Sequence, residues 1–233
     1  MVISAGNSGA NGPFYGSSGS SGKNVLAIAS VETEDFPASP FEATFTLDGE
    51  ANVTTVGYLP STDYFPPSVK DWPIVALSLD TSVADDACTR FPAGTPSLEG
   101  SIPLVRRGGC SFSVKQANLE ALGAEYILIY NSDTSPLIIP STDRLTSLLG
   151  MITADAGEAI VNTIAEGGEV TGDFSRNPEE VVAVEYNVGG RPSTFTSWAG
   201  LYDLQQKPDI AGPGGNIFSS VSLLSLTHPP SMI

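Results

Sequence analysis

One histidine, two cysteines and a few paired carboxylates set the range of chemistry open to this 233-residue chain. His228 sits in Thr227-His-Pro-Pro and reads as an exposed tail residue. Cys88 and Cys110, with that lone histidine, give no cluster of zinc-ligand spacing, and no glycine-rich loop runs from a strand into Lys-Ser or Lys-Thr as a phosphate loop does. The two cysteines are expected to form a disulfide if the chain is exported, and otherwise to stand as two free thiols; a bond would close a loop of about twenty residues. Asp85-Asp86 and Asp133 with Asp143 are candidate calcium ligands, although solvated loop acids are the commoner reading. The expectation is therefore no metal and no cofactor, with calcium left open but without a site that can be mapped. Asn52-Val53-Thr54 is a glycosylation sequon.

These residues must be positioned by strands and by two helices. Ile102, Leu104 and Val105 form an apolar run ended by Arg106-Arg107-Gly108-Gly109, which is turn chemistry. Ser111 or Ser113 can cap a following helix whose apolar face is predicted as Val114, Ala117, Ala121 and Leu122, with Leu119 less well placed. Gly123 stops it. Tyr126-Ile127-Leu128-Ile129-Tyr130 is almost wholly apolar and rich in strand formers, as a strand buried on both faces is. Strand, helix and strand make a right-handed crossover if the strands pair in parallel.

The same logic places a strand at Val25–Val31, an alternating strand at Phe41-x-Ala43-x-Phe45-x-Leu47, and another at Ile74–Leu77 after a proline-rich loop. Ile138-Ile139-Pro140 and Met151-Ile152 bound a further loop. Thr153 is a plausible N-cap of a second helix with Asp155 and Glu158 near its positive end and Ile160, Val161, Ile164 and Ala165 on its apolar face. Val181–Val184 is expected to lead back towards the flanking region.

The bulk composition excludes several classes. At 41% hydrophobic residues and a mean hydropathy of +0.07 the chain can bury a core of one or two domains. Twenty-six acidic against ten basic residues give a net charge of −16, the wrong sign for a nucleic-acid footprint. No apolar stretch of about eighteen residues offers a membrane span. The N-terminus, MVISAGNSGANG, has neither the basic region nor the apolar run of a signal peptide. Secretory features without a secretory signal lead to the expectation that the native N-terminus lies further upstream.

Gly100-x-Ile102-x-Leu104-Val105-x-Arg107-Gly108-x-Cys110-x-Phe112, followed by Lys115, Ala117, Gly123-Ala124 and Tyr130-Asn131, resembles the protease-associated (PA) domain. The resemblance implies a β-rich, non-catalytic module inserted in or attached to peptidases and sorting receptors. The flanks carry a second resemblance. Ser4-Ala-Gly-Asn-Ser-Gly9, Phe195-Thr-Ser-Trp198 and Lys207-Pro-Asp-Ile-Ala-Gly-Pro-Gly-Gly-Asn-Ile217 are similar, in this order, to segments of the subtilisin-like serine peptidases, the subtilases.

By that resemblance Asn7 is the oxyanion-hole asparagine, and Ser4, Ala5 and Gly6 form a wall of the pocket for the residue before the scissile bond. Subtilases order their triad Asp, His, Ser, with the first two upstream of this asparagine. Only six residues precede Asn7, none of them Asp or His. Ser231-Met232 lacks the Gly-Thr that should precede a nucleophile. Trp198-Ala199-Gly200-Leu201 and Gly212 also depart from the family pattern.

Taken together, the sequence predicts an α/β (α+β) chain: a β-rich PA domain over residues 44–185 with flanking helices, inserted in an incomplete subtilisin-like parallel α/β domain contributed by residues 1–43 and 186–233. The function expected is that of a fragment of a secreted subtilisin-like endopeptidase, inactive by itself, whose substrates are proteins or peptides. The alternative is a non-catalytic PA module that binds protein or peptide partners. The central segment is expected to fold alone, and the flanks to be strands without partners.

Overall fold

The computed structural model describes residues 1–142, 146–177, 180–200 and 206–217. Along the chain run β1 (Val2–Ser4), β2 (Leu26–Glu32), β3 (Asp35–Leu47), β4 (Glu50–Pro60), β5 (Trp72–Ala76) and β6 (Ile102–Arg106). Then come α1 (Phe112–Glu120), β7 (Tyr126–Tyr130), β8 (Leu148–Ile152), α2 (Ala154–Ala165), β9 (Glu169–Asp173) and β10 (Val182–Glu185). The short β11 (Ala199–Gly200) and β12 (Gln206–Lys207) precede β13 (Ile210–Gly215). The chain is β-rich, with two α-helices among the described residues, and divides into two compact units. One is Asp35–Asn187; the other is Met1–Glu34 together with the described residues after Asn187.

In the central unit β5, β6, β7 and β8 pair in parallel, while β3, β4, β9 and β10 join antiparallel. The predicted crossover is present: β6 and β7 are parallel neighbours linked by α1. Ile127, Leu128, Ile129 and Tyr130 are all buried, as an apolar run covered on both faces should be. The core gathers Phe41, Tyr58, Phe65 and Phe174, with the Phe41 and Phe174 rings stacked at 4.4 Å and Ile160 and Val161 of α2 closing it from above. Burial pushes the Tyr58 phenol up to about 12, although its oxygen accepts a hydrogen bond from the Phe65 amide, which lowers it. Tyr130 is pushed to about 12 by burial first and by Asp86 next.

Both phenols have folded values above the ordinary one near 10, so the stability they contribute is complete below pH ~10 and lost as pH rises through ~12. The expected result is that tyrosinate absorbance from these two residues appears only as the unit unfolds near pH 12. Their ionisation near pH 10 in a still-folded chain would contradict it.

Thr153 caps α2 as predicted, its side-chain oxygen accepting from the Ala156 amide at 3.3 Å. The helix comes close to β7 because residue 157 is glycine: a Cβ there would lie 2.1 Å from the Tyr130 Cβ and 2.3 Å from its Cγ. Gly157→Ala improves helix propensity by about 1 kcal/mol, but overpacking against a buried ring costs about 1–3 kcal/mol. The clash is expected to win. The urea midpoint should fall, and a rise would show that α2 can retreat.

Several expectations need correction. The buried side of α1 is Lys115, Gln116 and Leu119, while Val114 is 40% exposed. Leu119 of the predicted face is buried, but polar side chains with partners, described below, take the rest of the inner surface in place of the other apolar ones. Strands β4 and β9 were not foreseen, and Met151-Ile152 is the end of β8, paired along its length with β7. A join at residues 43/44 falls inside β3, whose thirteen residues pair with β4, β9 and β10 in turn. Val182–Glu185 pairs antiparallel with Asp35–Ala38, which ties this last strand of the central unit to its first. The flanks are not unpartnered: β2 lies between β1 and β13, parallel to both.

Candidate functional site

Arg107 and Cys110 of the glycine-rich turn after β6, with Lys115 on α1, are each used to hold a loop. Arg107 donates through Nη1 to Asn131 Oδ1 (2.8 Å) and to the Pro136 carbonyl (2.6 Å), and burial lowers its pKa. Gly108 and Gly109 have φ of 127° and 71°, and a Cβ on Gly109 would meet the Asp85 Cα at 2.6 Å. Both the left-handed backbone and the close approach require glycine. Cys110 is bonded to Cys88.

Lys115 is fully buried, and its ammonium donates to the carbonyls of Ala84 (2.9 Å) and Asp86 (2.6 Å) and to Asp86 Oδ1 (2.8 Å). Asp86 Oδ2 accepts the Arg106 amide at 3.0 Å, and Asn118 Nδ2 donates to the Ala87 carbonyl. Asp86 is thus neither a solvated loop acid nor a free calcium ligand: its side chain is 6% exposed and neutralised by Lys115. Gln116, the other buried polar residue of α1, donates to the Ser147 carbonyl and hydroxyl. Among the described residues no three His, Cys, Asp or Glu side chains gather as a metal set. Asp143, His228, Ser231 and Met232 lie outside the described residues.

The central unit also has a groove of about 1010 Å³. Phe45 and Leu47 of β3 and Val56 of β4 give it an apolar floor, and Ala156 and Ala159 of α2 a wall. Glu50, Asp133, Asp155 and Glu185 stand around it. Asn52 also lines it, so a glycan on this sequon would stand in the groove. Asp133 is exposed, and its carbonyl, with that of Ser135, accepts from Asn187 Nδ2.

In the other unit, Ser4, Gly6 and Asn7 line a pocket of about 440 Å³ together with Ser30, Phe195 and Thr196. Ala5 is buried behind it, donating to the Ile28 carbonyl and accepting from Ser17. The loop is clamped from a segment some 190 positions away in the chain. Ser197 N donates to the Gly6 carbonyl, Gly9 N to the Phe195 carbonyl, the Ser8 amide to Ser197 Oγ (3.1 Å), and Trp198 Nε1 to the Gly9 carbonyl (3.1 Å). A Cβ on Gly9 would lie 2.0 Å from the Thr196 oxygen, so the final glycine of SAGNSG is a packing requirement. Asn7 is exposed, and among the described residues nothing bonds its side-chain amide. Asp209 fastens the start of β13: its Oδ2 accepts from Lys207 Nζ and from the Ala27 amide, both at 2.7 Å. Those bonds, Lys207 first, hold its carboxyl below the usual carboxylate range.

Residues 71–160, which include the glycine-rich turn, α1 and most of α2, match the family described as PA domain. This segment is a PA domain. Relatives of the chain extend the likeness beyond it. The C5a peptidase of Streptococcus pyogenes serotype M18 is 32% identical over 127 residues, 54% of this chain and 10% of that protein. The PII-type proteinase of Lacticaseibacillus paracasei is 25% identical over 245 residues, which takes in 94% of this chain and 12% of that protein. The chain thus spans about a tenth of the length of these relatives. The solved subtilisin-like protease Apa1 from the Antarctic psychrotroph Pseudoalteromonas sp. AS-11 covers 81% of this chain and 50% of its own at 14% identity. Its TM-score is 0.41. Arg107, Cys110 and Lys115 of the PA motif each hold a loop in place. Sequence reasoning missed the groove beside the PA core because β4 was not foreseen. Among the described residues no helix is long and apolar enough to cross a membrane.

Proposed function

We propose that this chain is a segment of a secreted subtilisin-like serine endopeptidase, in which the PA domain is inserted between two pieces of the catalytic α/β domain. The observation that carries the reading is the unbonded amide of Asn7 at the mouth of the Ser4–Gly6 pocket, on a loop clamped by the Phe195–Trp198 segment. An amide so placed can donate to an oxygen that gains charge only when a nucleophile attacks a carbonyl seated in the pocket. Ser4 and Gly6 would border the side chain before the scissile bond, with Ala5 buried behind them. The PII-type proteinase supports the reading because its similarity runs across both units, not the PA domain alone.

The reaction would be peptide-bond hydrolysis through an acyl-enzyme on protein or peptide substrates. Its serine, histidine and aspartate would come from residues outside this chain, and the chain alone should not react with a fluorophosphonate probe. The test is the coding sequence on either side. Asp and His motifs are expected in frame upstream and Gly-Thr-Ser-Met-Ala downstream. In the protein expressed from that longer frame, Asn7→Ala should lower kcat by ~10²–10³ with little change in KM, the magnitude measured for this asparagine in subtilisin itself. Flanks without those motifs, or an unchanged kcat, would overturn the proposal.

The second reading, a non-catalytic PA module that binds proteins or peptides, is favoured by the open groove lined by Phe45, Val56 and Ala159. The two are compatible, since a binding module can serve a catalytic neighbour.

A further inference from the structure

The groove borders a strand that is only half paired. β4 bonds β3 from Glu50, opposite Leu47, to Tyr58, opposite Ser39, but meets β8 only at Leu59 and Pro60. Among the described residues nothing pairs with its other edge from Glu50 to Tyr58. The hairpin turn fixes which groups that edge offers. Asp48 (φ 53°) and Gly49 (φ 83°) are both left-handed, the type I′ pair, which makes Leu47 and Glu50 the first mutually bonded residues. Bonded and non-bonded pairs then alternate. Residues 50, 52, 54 and 56 spend their amides and carbonyls on β3, and Ala51, Val53, Thr55 and Gly57 turn theirs outward. An unpaired edge of this kind is a template for another strand.

We infer that an extended, basic peptide segment docks in this groove as an added strand on the free edge of β4. Main-chain bonds to Ala51, Val53, Thr55 and Gly57 supply register, and the groove selects side chains, as in strand addition generally. The edge spans about seven residues, or roughly 23 Å at 3.3 Å each. The floor of Phe45, Leu47 and Val56 takes apolar side chains at alternate positions.

Charge decides the rest of the occupant's chemistry. Among the described residues, Glu50, Asp133, Asp155 and Glu185 line the groove and no lysine or arginine does, so an acidic peptide meets four carboxylates and a basic one pairs with them. A second copy of the chain is disfavoured as the occupant, because each carries a net charge of −16. The inference concerns the central unit alone and stands or falls independently of the peptidase reading.

The test uses the full chain, produced without N-glycans, and a capped octapeptide of alternating lysine and valine. Its controls are the glutamate–valine counterpart and the lysine–valine peptide N-methylated at alternate residues. The expected result is binding below about 1 mM, with new hydrogen-exchange protection at the amides of Ala51, Val53, Thr55 and Gly57. Raising salt should weaken it, since exposed charges are screened. Glu50→Lys combined with Glu185→Lys should weaken binding about tenfold or more. Val53→Pro should do the same by deleting an outward donor, at an edge position where proline is tolerated. N-methylation makes the matching deletion on the ligand and leaves the protein's fold untouched.

Equal binding of the glutamate peptide or of the N-methylated one would overturn the inference, as would no binding at about 1 mM. Edge protection already present without peptide and lost on dilution would make a second copy the occupant, and would overturn it as well.

Discussion

Asp86→Ala is expected to destabilise the central unit by about 3–5 kcal/mol, the cost of leaving a buried charge without its partner. Lys115 is fully buried and its three donors meet three acceptors, of which the carboxylate is the only one carrying a compensating charge. Removing the carboxylate also frees the Arg106 amide at the end of β6. Domains are stable by about 5–15 kcal/mol in total, so the variant should unfold at much lower urea. Lys115→Met on top of Asp86→Ala removes the stranded charge and should recover part of the loss, because an apolar replacement of a whole buried pair is often neutral. A fall of less than about 1 kcal/mol for Asp86→Ala, or no recovery in the double variant, would show that water reaches the ammonium.

Replacing Cys88 and Cys110 together by serine should cost about 3 kcal/mol, the chain-entropy value for a loop whose ends are 22 positions apart. The bond closes the segment that Lys115 and Asn118 hold from α1 and that Gly108 and Gly109 allow to pack close. Cys88 is two positions from Asp86, so the two losses should not add: once the loop is released, the Lys115 pair has less structure left to hold. Urea unfolding of both variants and their combination measures this. Strict additivity would mean that disulfide and ion pair secure separate elements.

Much of the local structure was legible in the residues. The apolar run Tyr126–Tyr130 could only be a covered strand, because an exposed one would leave five large side chains in water. Thr153 before an acidic first turn announced the start of α2, and the outcome matches to the residue. The central motif from Gly100 to Asn131 pointed to the PA domain that residues 71–160 match. In each case the signal lies within a few consecutive positions, where capping, turn chemistry and side-chain period act directly on the backbone.

What the sequence did not contain is which distant groups meet. Lys115 and Gln116 stand outside the apolar face read for α1, and nothing local marks them as buried; only the fold brings Asp86 and Ser147 against them. Thr54-Thr55-Val56-Gly57 lacks the clean alternation of a half-buried strand, and β4 exists because Phe41, Ala43 and Phe45 need a neighbour across the ladder. The groove follows from where that neighbour stops pairing. The Asn7 loop likewise takes its shape from Ser197 and Trp198, close to two hundred positions downstream. Local preferences are set before the chain closes on itself. Burial, charge pairing and open edges are properties of the closed chain, and tertiary structure alone decides them.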